Sequence, residues 1–263
     1  MMIIKIGGGS AINLQGIVED LAQIDGPKII VHGANALRDE LAQKLGMAPR
    51  VITSASGYAS VYSDANALDV MMMAYAGLRN KRLVELFQRQ QINAIGLTGL
   101  DGLLIRGRRN RGIRVKENGK IKLLRDFSGK PQTVNKTLLI LLLEQGYLPV
   151  ITVPIADENG FAINSENDDI VALLQSALQA TTIVQLIEAP GFLENPTDPD
   201  SVISRLTIRE LRVREQQSAG RIKRKLHALV KIFESGKPRV IIADGRVEHP
   251  VKNALNEKGT VIQ

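Results

Sequence analysis

The chain of 263 residues has no cysteine and no tryptophan, and aromatic residues make up 3% of it. Without cysteine there can be no disulfides, thiolate metal sites or cysteine nucleophiles, which fits a reducing compartment. So few aromatics leave little for base stacking, which disfavours single-stranded nucleic acid as a partner. Long apolar runs are missing too. Leu138 to Leu143 is too short to cross a bilayer, and no basic n-region with a long apolar segment precedes the first strand. These absences lead us to expect a cytoplasmic protein with no membrane partner. The 44% hydrophobic content suffices for a core of Ile, Leu, Val, Ala and Met, in one large domain or two lobes. The net charge of +7, from 34 basic and 27 acidic residues, points to an anionic partner without identifying it.

Met2 to Ile6 is an apolar run of strand length with Lys5 embedded, and it stops at Gly7-Gly8-Gly9. Glycine admits positive φ and lets backbone N–H groups approach a ligand, so strand, glycines and helix make a plausible anion cradle. An ordinary first turn with a solvated lysine fits the same residues. Lys28 to His32 repeats the pattern before Gly33-Ala34-Asn35 and a helix through Leu45. Two such units imply a parallel sheet with crossover helices, whose ligands bind at the carboxyl ends of the strands. His32 fits either a catalytic base or a structural residue ending a buried strand.

After a loop with short extended pieces over 46–63, Asp64 is placed to cap a long helix reaching about Gln90, with Met71, Met72 and Met73 as core packing. Residues 93–97 form a further strand. From Arg106 to Arg125 nine basic residues face one acid, Glu117. With a turn at Glu117-Asn118-Gly119-Lys120, they read as a protruding β-ribbon that either meets an acidic macromolecule or is a solvated edge protected by charge. A helix over 134–144 and a strand over 148–153 precede a hairpin turn at Asp157-Glu158-Asn159-Gly160. Asn164-Ser165-Glu166-Asn167-Asp168-Asp169 then opens a helix to about Gln179, clustering carboxylates and carboxamides where a sheet places ligands. Strands over 182–186, 239–243 and 260–262 and a short helix from Thr207 complete the pattern. Four of the five residues Arg221-Ile222-Lys223-Arg224-Lys225 are basic at a helix start, which opposes the helix dipole unless an anion is bound. No repeat or clear linker interrupts the chain.

Taken in order, Lys5 with Gly7-Gly8-Gly9, His32-Gly33, Asn164 four residues before Asp168, and the basic helix containing Lys225 resemble the amino acid kinase family, in its N-acetylglutamate kinase branch. Residues 80–86 and 93–102, Gly107-Arg108-Arg109, Gly146-Tyr147-Leu148-Pro149-Val150 and Ala243-Asp244-Gly245-Arg246-Val247 look closest to the LysW-aminoadipate and LysW-glutamate kinases of carrier-mediated lysine and arginine biosynthesis. The resemblance covers nearly the whole chain. It implies an α/β fold, an open αβα sandwich with a mainly parallel central sheet. An acyl-substrate and carrier lobe would span 1–178 and an ATP lobe 179–263, with one continuous sheet shared between them.

The reaction so implied is ATP-dependent phosphorylation of a side-chain carboxylate to an acyl phosphate. Mg²⁺ would arrive on the nucleotide rather than in a protein-only metal cage. Lys5 and Lys225 would stabilise the transferring phosphoryl group, with Asp168 orienting them. Gly7, Gly8, Gly9 and Lys223 would line the phosphates. Gly33, Ala34, Asn35, Val61 and Asn164 would line the substrate, with Gly8 and Gly33 lending backbone N–H groups. An acidic carrier protein gives the ribbon a purpose, so Arg106, Arg108, Arg109, Arg111 and Arg114 are expected to bind it. The chain lacks the extra N-terminal helix that resembles ring-forming acetylglutamate kinases, and a homodimer is expected. Nucleic acid is the least favoured partner, since no motif accompanies the charge.

Three positions depart from the family pattern. His-Gly-Gly-Gly reads His32-Gly33-Ala34-Asn35, and each added Cβ narrows the approach. A substrate-gripping arginine falls at Val61. The nucleotide-side pattern Ser-Asp/Asn-Val-x-Gly reads Ile187-Glu188-Ala189-Pro190-Gly191, bringing a carboxylate toward the phosphates. A kinase of free N-acetylglutamate and a noncatalytic nucleotide- or carrier-binding regulator are the alternative readings.

Overall fold

Apolar runs of strand length that end in glycine or polar turns, followed by segments of helical period, produce alternating strands and helices from the first residues onward. The computed structural model describes residues 1–47, 50–53, 59–117 and 120–263, and only the backbone at 51, 53, 59–61, 116, 117 and 221. Strands β1 (Met2–Ile6) and β2 (Lys28–His32) flank helix α1 (Leu14–Leu21), and α2 (Asn35–Lys44) follows. A short hairpin, β3 (Val51–Thr53) and β4 (Ala59–Val61), precedes a continuous helical rod. The rod comprises α3 (Ala65–Met72), a π-helical stretch Met73–Arg79 and α4 (Asn80–Arg89). Next come β5 (Ala94–Thr98), β6 (Ile105–Arg109), β7 (Ile113–Glu117), β8 (Lys120–Leu124) and β9 (Gly129–Val134). Helix α5 (Lys136–Glu144) leads to β10 (Leu148–Thr152), β11 (Ile155–Ala156), β12 (Ala162–Ile163) and α6 (Asn167–Leu178). The chain continues through β13 (Thr182–Ile187), β14 (Arg205–Leu206), α7 (Ile208–Gln217) and α8 (Gly220–Ile232). It closes with β15 (Arg239–Asp244), α9 (Pro250–Leu255) and β16 (Thr260–Ile262).

One 8-stranded sheet runs in the order β14-β16-β15-β13-β1-β2-β10-β5. The strands from β15 to β5 are parallel, while β16 is antiparallel to β15 and carries β14 with it. Central β1 pairs with β2 on one side and β13 on the other. Helices cover both faces, so its apolar run does not alternate: Ile3, Ile4 and Ile6 are all fully buried. On one face Ile3, Met71, Tyr75, Leu139, Ile170 and Leu226 join elements α3, α5, α6 and α8. On the other, Ile4, Ile17, Leu83, Phe87 and Val251 join α1, α4 and α9. Among the described residues no helix is long and apolar enough to cross a membrane.

Several expectations need correction. Asp64 caps the rod as anticipated, its side chain accepting from the N–H of Ala67, but the three methionines do not all pack. Met73 is 45% exposed, because consecutive helical residues point about 100° apart and cannot share one buried face. The basic stretch does not form a single hairpin. Strand β6 joins β9 and β11 in a separate sheet, and only β7 and β8 make the ribbon, with Glu117 opposite Lys120. The two residues between them, the centre of the expected turn, lie outside the described residues. So does the side chain of Val61. Val134 ends β9 rather than opening α5, whose cap is Asn135. Helix α9 and the reversed β16 were not anticipated.

Candidate active site

The helix after β1 packs on one face of the sheet and the helix after β2 on the other, where Leu37 and Leu41 meet the larger core. The loops leaving these neighbouring strands therefore diverge and open a crevice at their carboxyl ends, the usual ligand position in such sheets. Both glycine turns meet there. Gly33 donates its N–H to the carbonyl of Ile6 at 2.9 Å, and Ala36 donates to that of Gly8 at 3.0 Å. A Cβ on Gly8 would stand 2.7 Å from the backbone nitrogens of Ala34 and Asn35, and one on Gly33 2.9 Å from that of Gly8. The glycines are required by close approach. None of Gly7, Gly8, Gly9 or Gly33 has positive φ, which removes the conformational reason expected for the triplet.

The amides differ in what they have left to offer. Gly7 spends its N–H on the carbonyl of Leu186 at 2.8 Å, and Gly33, expected to serve substrate, spends its own within the sheet. Among the described residues no acceptor is found for the Gly8 N–H. The side chain of Asn35 lies against Gly8, in the space a third family glycine would leave open, so the crevice is narrower on that side.

Lys5 alternates with Ile4 and Ile6 along β1 and so shares the face of Ile3, toward α6. It is 8% exposed, and its Nζ lies 2.6 Å from Oδ1 of Asp168. Asp168 occupies the first turn of α6, where the helix dipole favours a carboxylate. The preceding residue, Asn167, fixes that turn to β2 by donating Nδ2 to the carbonyl of His32 at 3.1 Å, and Thr152 Oγ1 donates to the same oxygen at 3.0 Å. In the sequence Asn167 stands out only as part of a polar cluster, and its bond across 135 residues has no local signature.

His32 is structural. It is fully buried, and burial pushes its pKa from 6.5 down to about 3, leaving it neutral. Nδ2 of Asn80 donates to both the carbonyl of Val150 and His32 Nε2, so the ring proton sits on Nδ1, facing the carbonyl of Gly33 at 3.3 Å.

Asn164 is held by three hydrogen bonds. Its N–H donates to the carbonyl of Phe127 at 2.7 Å, its carbonyl accepts from Gly129 at 2.9 Å, and its Nδ2 reaches Oγ of Ser63 at 3.3 Å. Lys225 and Lys223 are exposed in the first half of α8. That helix packs on α6. Lys231 Nζ is 3.8 Å from Asp169, and Gly236 stands against Gln175 and Gln179, so the two helices run parallel. Lys225 precedes Lys231 by about 9 Å of helical rise, which sets it beyond the first turn of α6, above the carboxyl edge of the sheet.

The departure at Glu188 also has a visible consequence. Its Oε1 accepts the N–H of Ala11 at 2.7 Å, and its carboxylate occupies the space where a Cβ on Gly9 would fall. Arg246, held by Asp244 at 2.7 Å, also feels this charge. The loop after β1 thus already holds one anion. Of the expected carrier-binding arginines, Arg106, Arg108, Arg111 and Arg114 are exposed. Arg109 turns inward: it lies 4.0 Å over the ring of Phe127, and its Nε donates to the carbonyl of Asp126 at 2.9 Å. A cavity of about 500 Å³, lined in part by Met1, Pro27, Leu143 and Tyr147, sits at the opposite edge of the sheet and contains none of these residues. Among the described residues no group of three or more His, Asp or Glu is arranged to hold a metal.

A family model described as the amino acid kinase family matches residues 1–244. The chain is 40% identical over 269 residues to "[LysW]-aminoadipate kinase" of Thermus thermophilus, covering 100% of both chains. It is 30% identical over 275 residues to "Acetylglutamate kinase" of Archaeoglobus fulgidus, covering 100% of this chain and 92% of that one. Its fold superposes on isopentenyl phosphate kinase of T. acidophilum with a TM-score of 0.62 at 18% identity, covering 100% of both chains.

Proposed function

The chain belongs to the amino acid kinase family, and we propose that it transfers the γ-phosphoryl group of ATP to the side-chain carboxylate of 2-aminoadipate held on an acidic carrier protein. The full-length likeness to the Thermus thermophilus [LysW]-aminoadipate kinase carries this reading. In the reaction a carboxylate oxygen bonds to Pγ while the bond from Pγ to the β,γ-bridging oxygen breaks. ADP leaves with that electron pair, and the product is an acyl phosphate. The nucleophile is already an anion and no proton need move, so the protein's task is positioning and charge neutralisation.

The geometry supports a division of that task. Asp168 holds the Lys5 ammonium at the mouth of the crevice, and the Gly8 N–H is available to a phosphate oxygen. Lys225 and Lys223 approach from α8, and Asn164 with Asn35 borders the substrate side. Mg²⁺ would enter on the nucleotide and neutralise phosphate charge. The proposal assigns residues 1–178 to acyl substrate and carrier and 179–263 to ATP, in a cytoplasmic homodimer whose stoichiometry the solution mass of the purified chain tests.

ADP release driven by carrier-linked aminoadipate tests the reaction. Turnover strongly reduced by both Lys5→Ala and Lys225→Ala is the expected result. Turnover indifferent to both substitutions would refute the assigned chemistry, and no turnover by the unaltered chain would favour the noncatalytic regulator that the Glu188 contact recommends. A kinase of free N-acetylglutamate is the second reading, favoured by the acetylglutamate kinase relative.

A further inference from the structure

The ribbon of β7 and β8 has two unlike faces. Its register sets Ile113 opposite Leu124, Arg114 opposite Leu123, Val115 opposite Lys122 and Lys116 opposite Ile121. Side chains alternate along each strand and directly opposed residues share a face. Val115 and Ile113 therefore share one face with Leu124, and Arg114 shares the other with Ile121 and Leu123. The Val115 face turns toward the body, where that residue is 4% exposed. The Arg114 face points outward, with Ile121 68% and Leu123 63% exposed beside the arginine.

A solvated ribbon protected by charge gains nothing from two adjacent large aliphatic side chains facing water; lysine or threonine would serve the strand better. An aliphatic centre with arginine next to it is instead the composition of a recognition surface. The surroundings identify the occupant. Arg111, Lys120 and Arg125 are exposed at the ends of the ribbon, and Glu117 is the one acid between Arg106 and Arg125. Two copies of so basic a face repel each other, whereas an acidic partner is attracted.

The ribbon is also fastened to the substrate side. Tyr62 Oη donates to the carbonyl of Arg125 at 2.6 Å. Phe127 then donates to Ser63 at 2.8 Å and accepts from Asn164 at 2.7 Å. A partner seated on the ribbon is thereby held beside the segment that leads to Asp168.

We infer that the outer face of the ribbon is where the acidic carrier docks, and that Ile121 and Leu123 insert into an apolar patch on it while Arg114 pairs with a flanking carboxylate. This rests on the proposed function and specifies its partner's surface: recognition has an apolar centre as well as a charged rim. The two parts respond differently to salt, since exposed ion pairs are screened and apolar burial is not.

The test measures the affinity of Thermus thermophilus LysW bearing aminoadipate for the full chain, by calorimetry at about 0.05 M and about 0.5 M salt. Ile121→Ser/Leu123→Ser should raise Kd about tenfold or more at both salt concentrations. Arg114→Ala should weaken binding at low salt and have little effect at high salt. The volume-conserving pair Ile121→Leu/Leu123→Ile should bind as the unaltered chain does, separating docking from damage to the ribbon. An unchanged Kd for the serine pair, while the unaltered chain binds and phosphorylates the carrier substrate, would overturn the docking face and leave the kinase reading standing. Loss of self-association in the serine pair would assign the face to a second copy and overturn it too. If the unaltered chain ignores the carrier yet phosphorylates free N-acetylglutamate, the carrier reading and the docking face both fall.

Discussion

The crevice between β1 and β2 and the ribbon of β7 and β8 differ in almost every physical respect. In the crevice two backbone turns pack so closely that neither Gly8 nor Gly33 has room for a Cβ, and the Lys5–Asp168 pair is shielded by the helix layer above it. In the ribbon an isolated two-stranded sheet presents arginine and aliphatic side chains to solvent. Phosphoryl transfer needs charges fixed before substrate arrives, and burial against a sheet supplies that fixation. Capturing a macromolecule needs reach and long-range attraction, which an exposed basic strand supplies. Substitutions in the two regions should therefore fail differently.

The largest separation is expected from Lys5→Ala, which should lower kcat about 100- to 1,000-fold with little change in the KM for carrier substrate, read by coupled ADP release. A loss expressed mainly in KM would move Lys5 from chemistry to binding. Gly8→Ala should destabilise the fold by about 2 kcal/mol, because the new Cβ meets the backbone of Ala34 and Asn35 as well as the Asn35 side chain. Urea unfolding checks it, and a neutral outcome would mean that the turns can separate. Arg106→Ala/Arg108→Ala should raise KM for the carrier substrate about fivefold at low salt, leave kcat alone, and lose that effect at high salt.

A pH-dependent effect concerns the support beneath the crevice. His32 has a folded pKa of about 3 against an ordinary 6.5, so between those values the unfolded chain takes a proton that the folded chain refuses. Its stabilising contribution is complete above pH 6.5 and is lost as pH falls toward 3. The slope is at most about 1.4 kcal/mol per pH unit. Comparing urea midpoints across that window for the unaltered chain and His32→Gln should show a shallower acid dependence in the variant; parallel curves would mean His32 titrates freely.

The same contrast explains what the sequence revealed. Lys5 and its glycines, the Asp64 cap and the turn at Asp157 to Gly160 are local patterns, and local patterns survive in a linear reading. Helix α9 was missed because its cap is remote: Asp20 of α1 accepts from the N–H groups of Val251 and Lys252 at 2.9 and 3.0 Å. The Glu188 contact joins residues 177 positions apart, so sequence exposed the anomaly but not where its carboxylate goes. Charge groups Arg109 with Arg106 and Arg108; strand alternation turns it to the other side from Arg108, but the sequence does not show that the ring of Phe127 lies there. The π-helical stretch left no mark in the methionine run. Of the candidate site, Lys5 meets Asp168 and Gly8 meets Gly33; Lys225 is related to them only through the parallel course of α6 and α8.

Whether the crevice phosphorylates a carboxylate delivered by a carrier is decided by ADP release with LysW-linked aminoadipate, LysW-linked glutamate and free N-acetylglutamate offered separately at equal concentration. The highest kcat/KM is expected for LysW-linked aminoadipate, with little turnover of the free substrate. Equal or faster turnover of free N-acetylglutamate would contradict delivery by a carrier.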